Sequence, residues 1–424
     1  MIAEFTIENY RSFKERRTFS LIATKDKELP ENTFDAGKKL RFLKSAVIYG
    51  ANASGKSSFF NALVFFLDFS VYSSPRKQIK ESIGVEPFLL SRQTESAPSS
   101  FEIIFILKND YEETRYRYGF TVNNKEVLSE YLFAVYGVRE VMLFSRNHQE
   151  IECTTHFKEG IRIKPSVRSN GSFLSVCSQN NGKISSEIVM YFLRMGVIYG
   201  QNEIAFPQTD NTHPAYRKKI INFLKYADIQ VTGFKTEPLP IYGSFFDSDL
   251  PTTMKSKLPS DIFERVLFAH TLYDNETPVD EKYLDETVES AGTRKLFHYS
   301  GYILDALEQG TPLFIDEFDS QLHPLIIEKI IERFNSPTDN PKNAQLIISS
   351  HAVNIMTNKL LRRDQIWFCE KDQYGATDLF SLVEYKEPVR KDSSYNKNYF
   401  RGKYGAIPSI NEFFLQRDIK NNGS

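Results

Sequence analysis

The stretch Gly50-Ala51-Asn52-Ala53-Ser54-Gly55-Lys56-Ser57-Ser58 decides the fold of this 424-residue chain. Its first eight residues fit the phosphate-loop pattern G-x-x-x-x-G-K-[ST]. The apolar run Ser45-Ala-Val-Ile-Tyr49 before it reads as a strand, and the segment from Lys56, without Gly or another Pro until Pro75, reads as a helix. Four such fixed positions recur by chance in about one or two chains per hundred of this length, so the flanking strand and helix carry the argument. In this setting the glycines let backbone N–H groups wrap phosphates, and the helix N-terminus adds its dipole. Lys56 is expected to reach the β and γ phosphates of ATP, and Ser57 to ligate Mg2+.

Downstream, Pro312-Leu-Phe-Ile-Asp316-Glu317 is an apolar strand ending in two carboxylates. Such strand ends are common, and the phosphate loop gives this one its meaning: Asp316 holds the metal and Glu317 orients the attacking water. Lys56 and Asp316 stand about 260 residues apart, so something large is inserted between them. About 26 residues before Asp316, Glu289-Ser290-Ala291-Gly292-Thr293-Arg294 opens a helix that runs to a stop at Gly310. This looks like an ABC signature, in which Ser290 and Gly292 meet the γ-phosphate of a nucleotide held by the opposite subunit. ATP then joins copies of the chain into a homodimer or higher homo-oligomer. A further apolar strand, Ala344 to Ser350, ends in His351, which resembles the ABC switch histidine that senses the γ-phosphate.

Composition narrows the setting. With 41% hydrophobic and 25% charged residues the chain is of ordinary globular make-up, and its net charge of -1 leaves no whole-chain footprint for nucleic acid. Cys153, Cys177 and Cys369 are widely spaced and odd in number, which suggests neither a zinc site nor a disulfide framework and fits a reducing cytoplasm. The start of the chain lacks the pattern of a signal peptide, and the most apolar stretch, Phe59 to Val71, is too short to span a bilayer; no membrane association is expected.

Three parts are expected: residues 1–139 and 261–424 as the two portions of an ATPase head, and 140–260 as an inserted, mainly helical subdomain. Phe101 to Leu107, Arg115 to Val122 and Val127 to Val135 are β-rich runs between Asn-containing turns, as in an antiparallel meander. No sustained heptad pattern occurs, so no long coiled-coil arm is expected. Lys386, Arg390, Lys391, Lys397, Arg401 and Lys403 interleave with Tyr395, Tyr399, Phe400 and Tyr404, a mixture suited to gripping a nucleic acid or to an ordinary solvated tail.

Taken together, these residues resemble the bacterial abortive-infection ATPases of the RloA/AbiL-like group, related to the overcoming-lysogenization-defect, RecF and SMC ATPases. The resemblance rests on Asn9-Tyr-Arg-Ser-Phe13, Gly50 to Ser57, Pro87-Phe-Leu89 and Ser290-Ala-Gly-Thr293. It continues through Asp316-Glu-Phe-Asp-Ser-Gln-Leu-His-Pro324, Ser350-His351 and Tyr399 to Pro408. It implies an α/β fold, an ABC/SMC-like P-loop ATPase head with an antiparallel β lobe and a helical insertion. It also places Arg11, Ser12 and Phe13 near base and ribose, makes Ser320 to His323 a D-loop, and calls for a Q-loop glutamine, for which Gln179 is the candidate metal ligand. The signature Ser-Ala-Gly-Thr-Arg and His323 in place of a D-loop aspartate depart from the transporter pattern, so transport is not expected. About 70 residues follow His351, too few for an appended nuclease domain. The implied role is an anti-phage ATPase that controls a separate effector protein. The alternatives are a RecF-like DNA-binding repair ATPase and a scaffold that binds ATP without hydrolysing it.

Overall fold

The computed structural model describes residues 1–36, 40–76, 81–108, 113–199, 214–238, 264–385, 389–390 and 392–408. Its centre is a six-stranded sheet in the order β11 (Gly196–Ile198), β15 (Leu313–Ile315), β16 (Leu346–Ser349), β5 (Ser45–Tyr49), β17 (Ile366–Lys371) and β18 (Thr377–Ser381). All neighbours pair in parallel except β17 and β18. One strand, β16, therefore lies between the phosphate-loop strand β5 and the acidic strand β15.

Both faces of this sheet are covered, which is why β5 is buried throughout rather than alternating. Side chains alternate between faces along a strand, so Ala46 and Ile48 join one core cluster while Val47 and Tyr49 join another. The first cluster is built around α1 (Lys56–Arg76), which packs between the central sheet and a second, antiparallel one. That second sheet runs in the order β10 (Glu150–Cys153), β9 (Arg139–Asn147), β8 (Val127–Tyr136), β7 (Glu113–Val122), β6 (Ser99–Lys108), β1 (Ile2–Glu8) and β2 (Arg17–Ser20). Phe66 of α1 stacks on Phe120 at 5.4 Å, and Phe59 meets Phe5 edge-on at 5.9 Å. A helix apolar all round is what a position between two sheets requires.

On the other face lie α4 (Pro214–Tyr226), α5 (Ala291–Gln309) and α6 (Pro324–Asn335), with Leu296, Phe297, Ile303, Ile327 and Ile331 buried in the second cluster. A three-stranded sheet, β12 (Gly233–Pro238), β13 (Glu264–Asp274) and β14 (Thr277–Asp285), rests on α5 through Phe234 and Phe268 against Phe297. A small ribbon, β3 (Thr33–Ala36) and β4 (Leu40–Leu43), completes the strands. Among the described residues no helix is long and apolar enough to cross a membrane.

Two expectations need correction. The segment 140–260 is not a separate helical subdomain in its described part. The 139/140 boundary falls inside β9, β11 belongs to the central sheet, and β12 pairs with β13 beyond residue 260. Among the described residues there, the α-helices are α2 (Phe173–Gln179), α3 (Lys183–Leu193) and α4, and the short strands between Gly- and Asn-bearing turns had the look of connections. The aromatic stretch near the end is not an open nucleic-acid grip either. Tyr395 and Tyr399 of α7 (Tyr395–Phe400), with Tyr404, are buried in the second cluster, and Tyr399 donates through its hydroxyl to the carbonyl of Ala406 at 2.8 Å. Phe400 alone among those four rings is exposed, at 72%.

Candidate nucleotide site

The phosphate loop leaves β5 at Gly50 and enters α1 at Lys56, at the carboxyl edge of the central sheet. Gly55 has φ 111°, and a Cβ there would collide with Thr377 and with Ser12 Oγ, so only glycine fits. Ala53 adopts φ 60° inside the turn. The Lys56 ammonium lies within the loop, donating to the carbonyls of Gly50 at 2.8 Å and Ala51 at 2.9 Å. Burial pulls its pKa down, opposed by Cys369, Asp316, Asp319 and Glu317. The first turn of α1, with Lys56, Ser57 and Ser58, carries no acidic residue, so no carboxylate of the helix itself competes with an anion for its N–H groups.

The loop is braced from outside. Thr377 on β18 donates through Oγ1 to the carbonyl of Ser54 at 2.9 Å and shares a 2.8 Å hydrogen bond with Ser12 Oγ, while its N–H donates to Ser12 O at 2.7 Å. Arg11, at φ 49°, grips Glu86 through Nε at 2.8 Å and Nη2 at 3.2 Å. Asn9 ties the following segment in place: its Oδ1 accepts from Phe88 N, and its Nδ2 donates to the carbonyls of Thr94, Ala97 and Pro98. The result is a cleft of about 560 Å³ between Arg11 and Ser12 on one side and Val85 to Leu90 on the other. Leu89 and Leu90 are 68% and 71% exposed beside it. Phe13, expected at the base or ribose, is fully buried in the first core cluster; after the turn at Tyr10 and Arg11 the chain heads back into the core.

At the same sheet edge β15 delivers Asp316 and Glu317. One hydroxyl organises both: Ser349 Oγ, at the end of β16, donates to Asp316 Oδ1 at 2.5 Å and accepts the Glu317 N–H at 2.7 Å. Asp316 is buried, whereas Glu317 is exposed and holds a left-handed backbone, φ 50°. Asp319 accepts from the backbone N–H of His351 at 2.9 Å. Burial, then the Lys56 charge, lower the pKa of His351, with Asp319, Glu317 and Asp316 pulling it back.

Ser290 caps α5, its Oγ accepting from Thr293 N at 3.1 Å. Gly292 lies so close to the D-loop that a Cβ would stand 2.7 Å from Gln321 O. The signature thus packs on the turn after Glu317, and no described hydrogen bond joins Ser290 or Gly292 to its own phosphate loop. Gln179 is not brought to the site. It accepts from Ser74 Oγ at 3.0 Å, near the far end of α1 and 18 residues beyond Lys56, about 27 Å at 1.5 Å per residue. Its polar neighbourhood in the sequence comes from capping the end of α2. Three residues that sequence reading missed, Thr377, Ser349 and Lys295, reach the site through contacts that no motif marks.

The residues present fit a nucleotide triphosphate with magnesium. Asp319 Oδ1 and the Tyr49 hydroxyl are buried without a hydrogen-bond partner at this edge, and Tyr49 is raised in pKa by burial and by Asp319. Among the described residues no cluster of three or more His, Cys, Asp or Glu forms a metal cage. The Ser57 hydroxyl and the Asp316 carboxylate are oxygen donors of the kind that would suit a magnesium also taking phosphate oxygens and water.

Fold and site together define a P-loop nucleotide-binding ATPase head with an antiparallel β lobe. The chain belongs to the family described as "AAA domain, putative AbiEii toxin, Type IV TA system", whose model matches residues 45–162 and 234–357, more than half its length. Among curated proteins none matches significantly. Similar solved structures include the Smc head bound to the C-winged helix domain of ScpA, 11% identical over 90% of this chain and 97% of that one, with a TM-score of 0.37. Another is the Smc head domain with an extended coiled coil bound to the C-terminal domain of ScpA from Pyrococcus furiosus, 12% identical over 95% and 98%, with a TM-score of 0.37.

Proposed function

We propose that the chain hydrolyses ATP at a site completed by a second copy of itself, and that this ATPase is the sensor or regulatory subunit of an abortive-infection defence system that controls a separate effector. The observation carrying the ATPase reading is the Ser349 bridge, which fixes Asp316 and the exposed Glu317 at one sheet edge. Lys56 and the N-terminus of α1 hold the phosphates; Ser57 and Asp316 would hold magnesium, which would supply neutralisation of the phosphate charge. Glu317 orients water for attack on the γ-phosphorus as the bond to the ADP oxygen breaks, releasing ADP and phosphate. His351 contacts the transferred group. Arg11 and Ser12 hold the ribose, and the base sits in the cleft against Leu89 and Leu90.

Dimerisation is supported by Ser290 and Gly292 opening α5 with no described hydrogen bond to their own phosphate loop, which leaves them to serve a nucleotide on another copy. The defence role is supported by the family description, which names an AbiEii toxin and a type IV toxin–antitoxin system. ATP turnover and solution mass, with and without ATP and Mg2+, test the reading in native chain, Lys56→Ala and Glu317→Gln. Turnover lost in both variants, with Glu317→Gln accumulating an ATP-stabilised assembly, supports it. Tight ATP binding and assembly without native turnover would replace it with the scaffold reading.

A further inference from the structure

Lys295 lies on the second turn of α5, five residues after the signature Ser290. Its Nζ donates to the carbonyl of Glu317 at 2.9 Å, the carbonyl of Ser320 at 2.8 Å and Ser320 Oγ at 2.5 Å, which uses all three ammonium protons on one turn. The ammonium also sits 5.2 Å from the ring centroid of Tyr299, one helical turn on, and that ring stacks on Phe318 at 5.9 Å and 12°. Burial lowers Lys295 to about 8, with Asp319, Glu317 and Asp316 opposing the shift, so it is mostly charged at neutral pH.

The grip falls on a strained residue. Glu317 is a non-glycine at φ 50°, a conformation that persists only when its surroundings impose it. Ser349 holds its N–H and Lys295 holds its carbonyl, so the peptide units on both sides of Glu317 are fixed and the direction in which its side chain leaves the backbone follows. The helix that carries Lys295 begins at the signature, and Gly292 touches Gln321. A shift of the signature along α5 is thus carried by Lys295 to the carbonyl of Glu317.

We infer that Lys295 is a positioning residue that holds Glu317 in its left-handed conformation and ties it to the signature of the same subunit. The inference rests on the ATPase reading above for its catalytic consequence. When the signature engages a nucleotide on the other copy, Lys295 transmits that contact to the subunit's own water-orienting carboxylate, so the two sites act together.

The test uses full-length native chain, Lys295→Met, which keeps the length and apolar stem without the donors, and Lys295→Arg, which keeps a cationic donor. Amide hydrogen exchange without nucleotide reads the hold itself: in Lys295→Met the amides of 317–321 exchange about tenfold faster or more, while those of α1 do not change. Turnover reads the consequence: kcat falls on the order of 100-fold while the Kd for a fluorescent ATP analogue stays within about threefold, and Lys295→Arg regains part of the loss. Unchanged exchange at 317–321 overturns the proposal, as does faster exchange with native kcat, or a fall in kcat matched by an equal loss of ATP affinity. A native chain without turnover overturns the ATPase reading instead, and the exchange data then judge the hold alone.

Discussion

Thr377 donates a hydrogen bond to the carbonyl of Ser54, in the middle of the phosphate loop and 323 residues earlier in the chain. The same side chain meets Ser12 Oγ, so β18, the turn after β1 and the phosphate loop are locked at one point. Thr377→Val keeps the shape and removes the donor. The Ser54 carbonyl is then left unsatisfied, at about 1–2 kcal/mol of stability in urea unfolding. ATP affinity should fall roughly tenfold, as about 1.4 kcal/mol of loop order is lost. Native affinity in this variant would show that the loop holds itself.

Ser349 offers a sharper separation of binding from chemistry. Its hydroxyl links Asp316 and the Glu317 N–H, and among the described residues it makes no hydrogen bond to the phosphate loop. In Ser349→Ala, kcat is expected to fall on the order of 100-fold through misdirection of Glu317, with ATP affinity measured without Mg2+ nearly unchanged. Equal losses in both quantities would argue that Ser349 merely supports the sheet edge.

What the sequence made legible was what is local. The phosphate loop, Asp316-Glu317, Ser290 to Gly292 and His351 each sit where a strand ends or a helix begins, and that context is written in adjacent residues. Thr377, Ser349 and Lys295 act through contacts spanning 323, 33 and 22 positions, and a lone Thr, Ser or Lys carries no pattern. Gln179 was misplaced because a polar loop residue gives no sign of which end of α1 it will meet. The aromatics of α7 misled for a related reason: at helical spacing Tyr395 and Tyr399 make a buried face, and basic residues beside them are its solvated rim.

His351 predicts a pH dependence with a definite sign. Its folded pKa lies below the ordinary 6.5, chiefly through burial and then through Lys56. The unfolded chain therefore takes up a proton at higher pH than the folded one, and stability present above pH 6.5 is lost as pH falls toward the folded value. His351→Gln does not titrate. Urea midpoints at pH 7.5 and 5.5 should show the native chain losing more stability than the variant, and an identical loss in both would contradict the assignment.

A last prediction concerns the β lobe, where Glu130 and Arg146 are both fully buried with 3.5 Å between Oε2 and Nη1. Glu130 accepts from the Tyr118 hydroxyl at 2.9 Å, Ser172 Oγ at 3.0 Å, and the N–H groups of Phe173 at 2.7 Å and Leu174 at 3.0 Å. It thus caps α2 from β8 by placing its carboxyl oxygens at the helix N-terminus. Arg146, its pKa lowered by burial and supported by Glu130, spends its remaining donors on the carbonyls of His148, Arg168 and Gly171. Glu130→Ala strands that guanidinium and two helix N–H groups at once, at a cost of roughly 3–5 kcal/mol. Glu130→Gln keeps one acceptor but turns an amide donor toward a site whose guanidinium and helix N–H groups cannot accept, so it should recover only part of the loss. Because α1 separates this pair from the nucleotide edge, the folded fraction of either variant should bind ATP with native affinity. Loss of binding at full folding would instead mean that the antiparallel lobe transmits its packing to the phosphate loop.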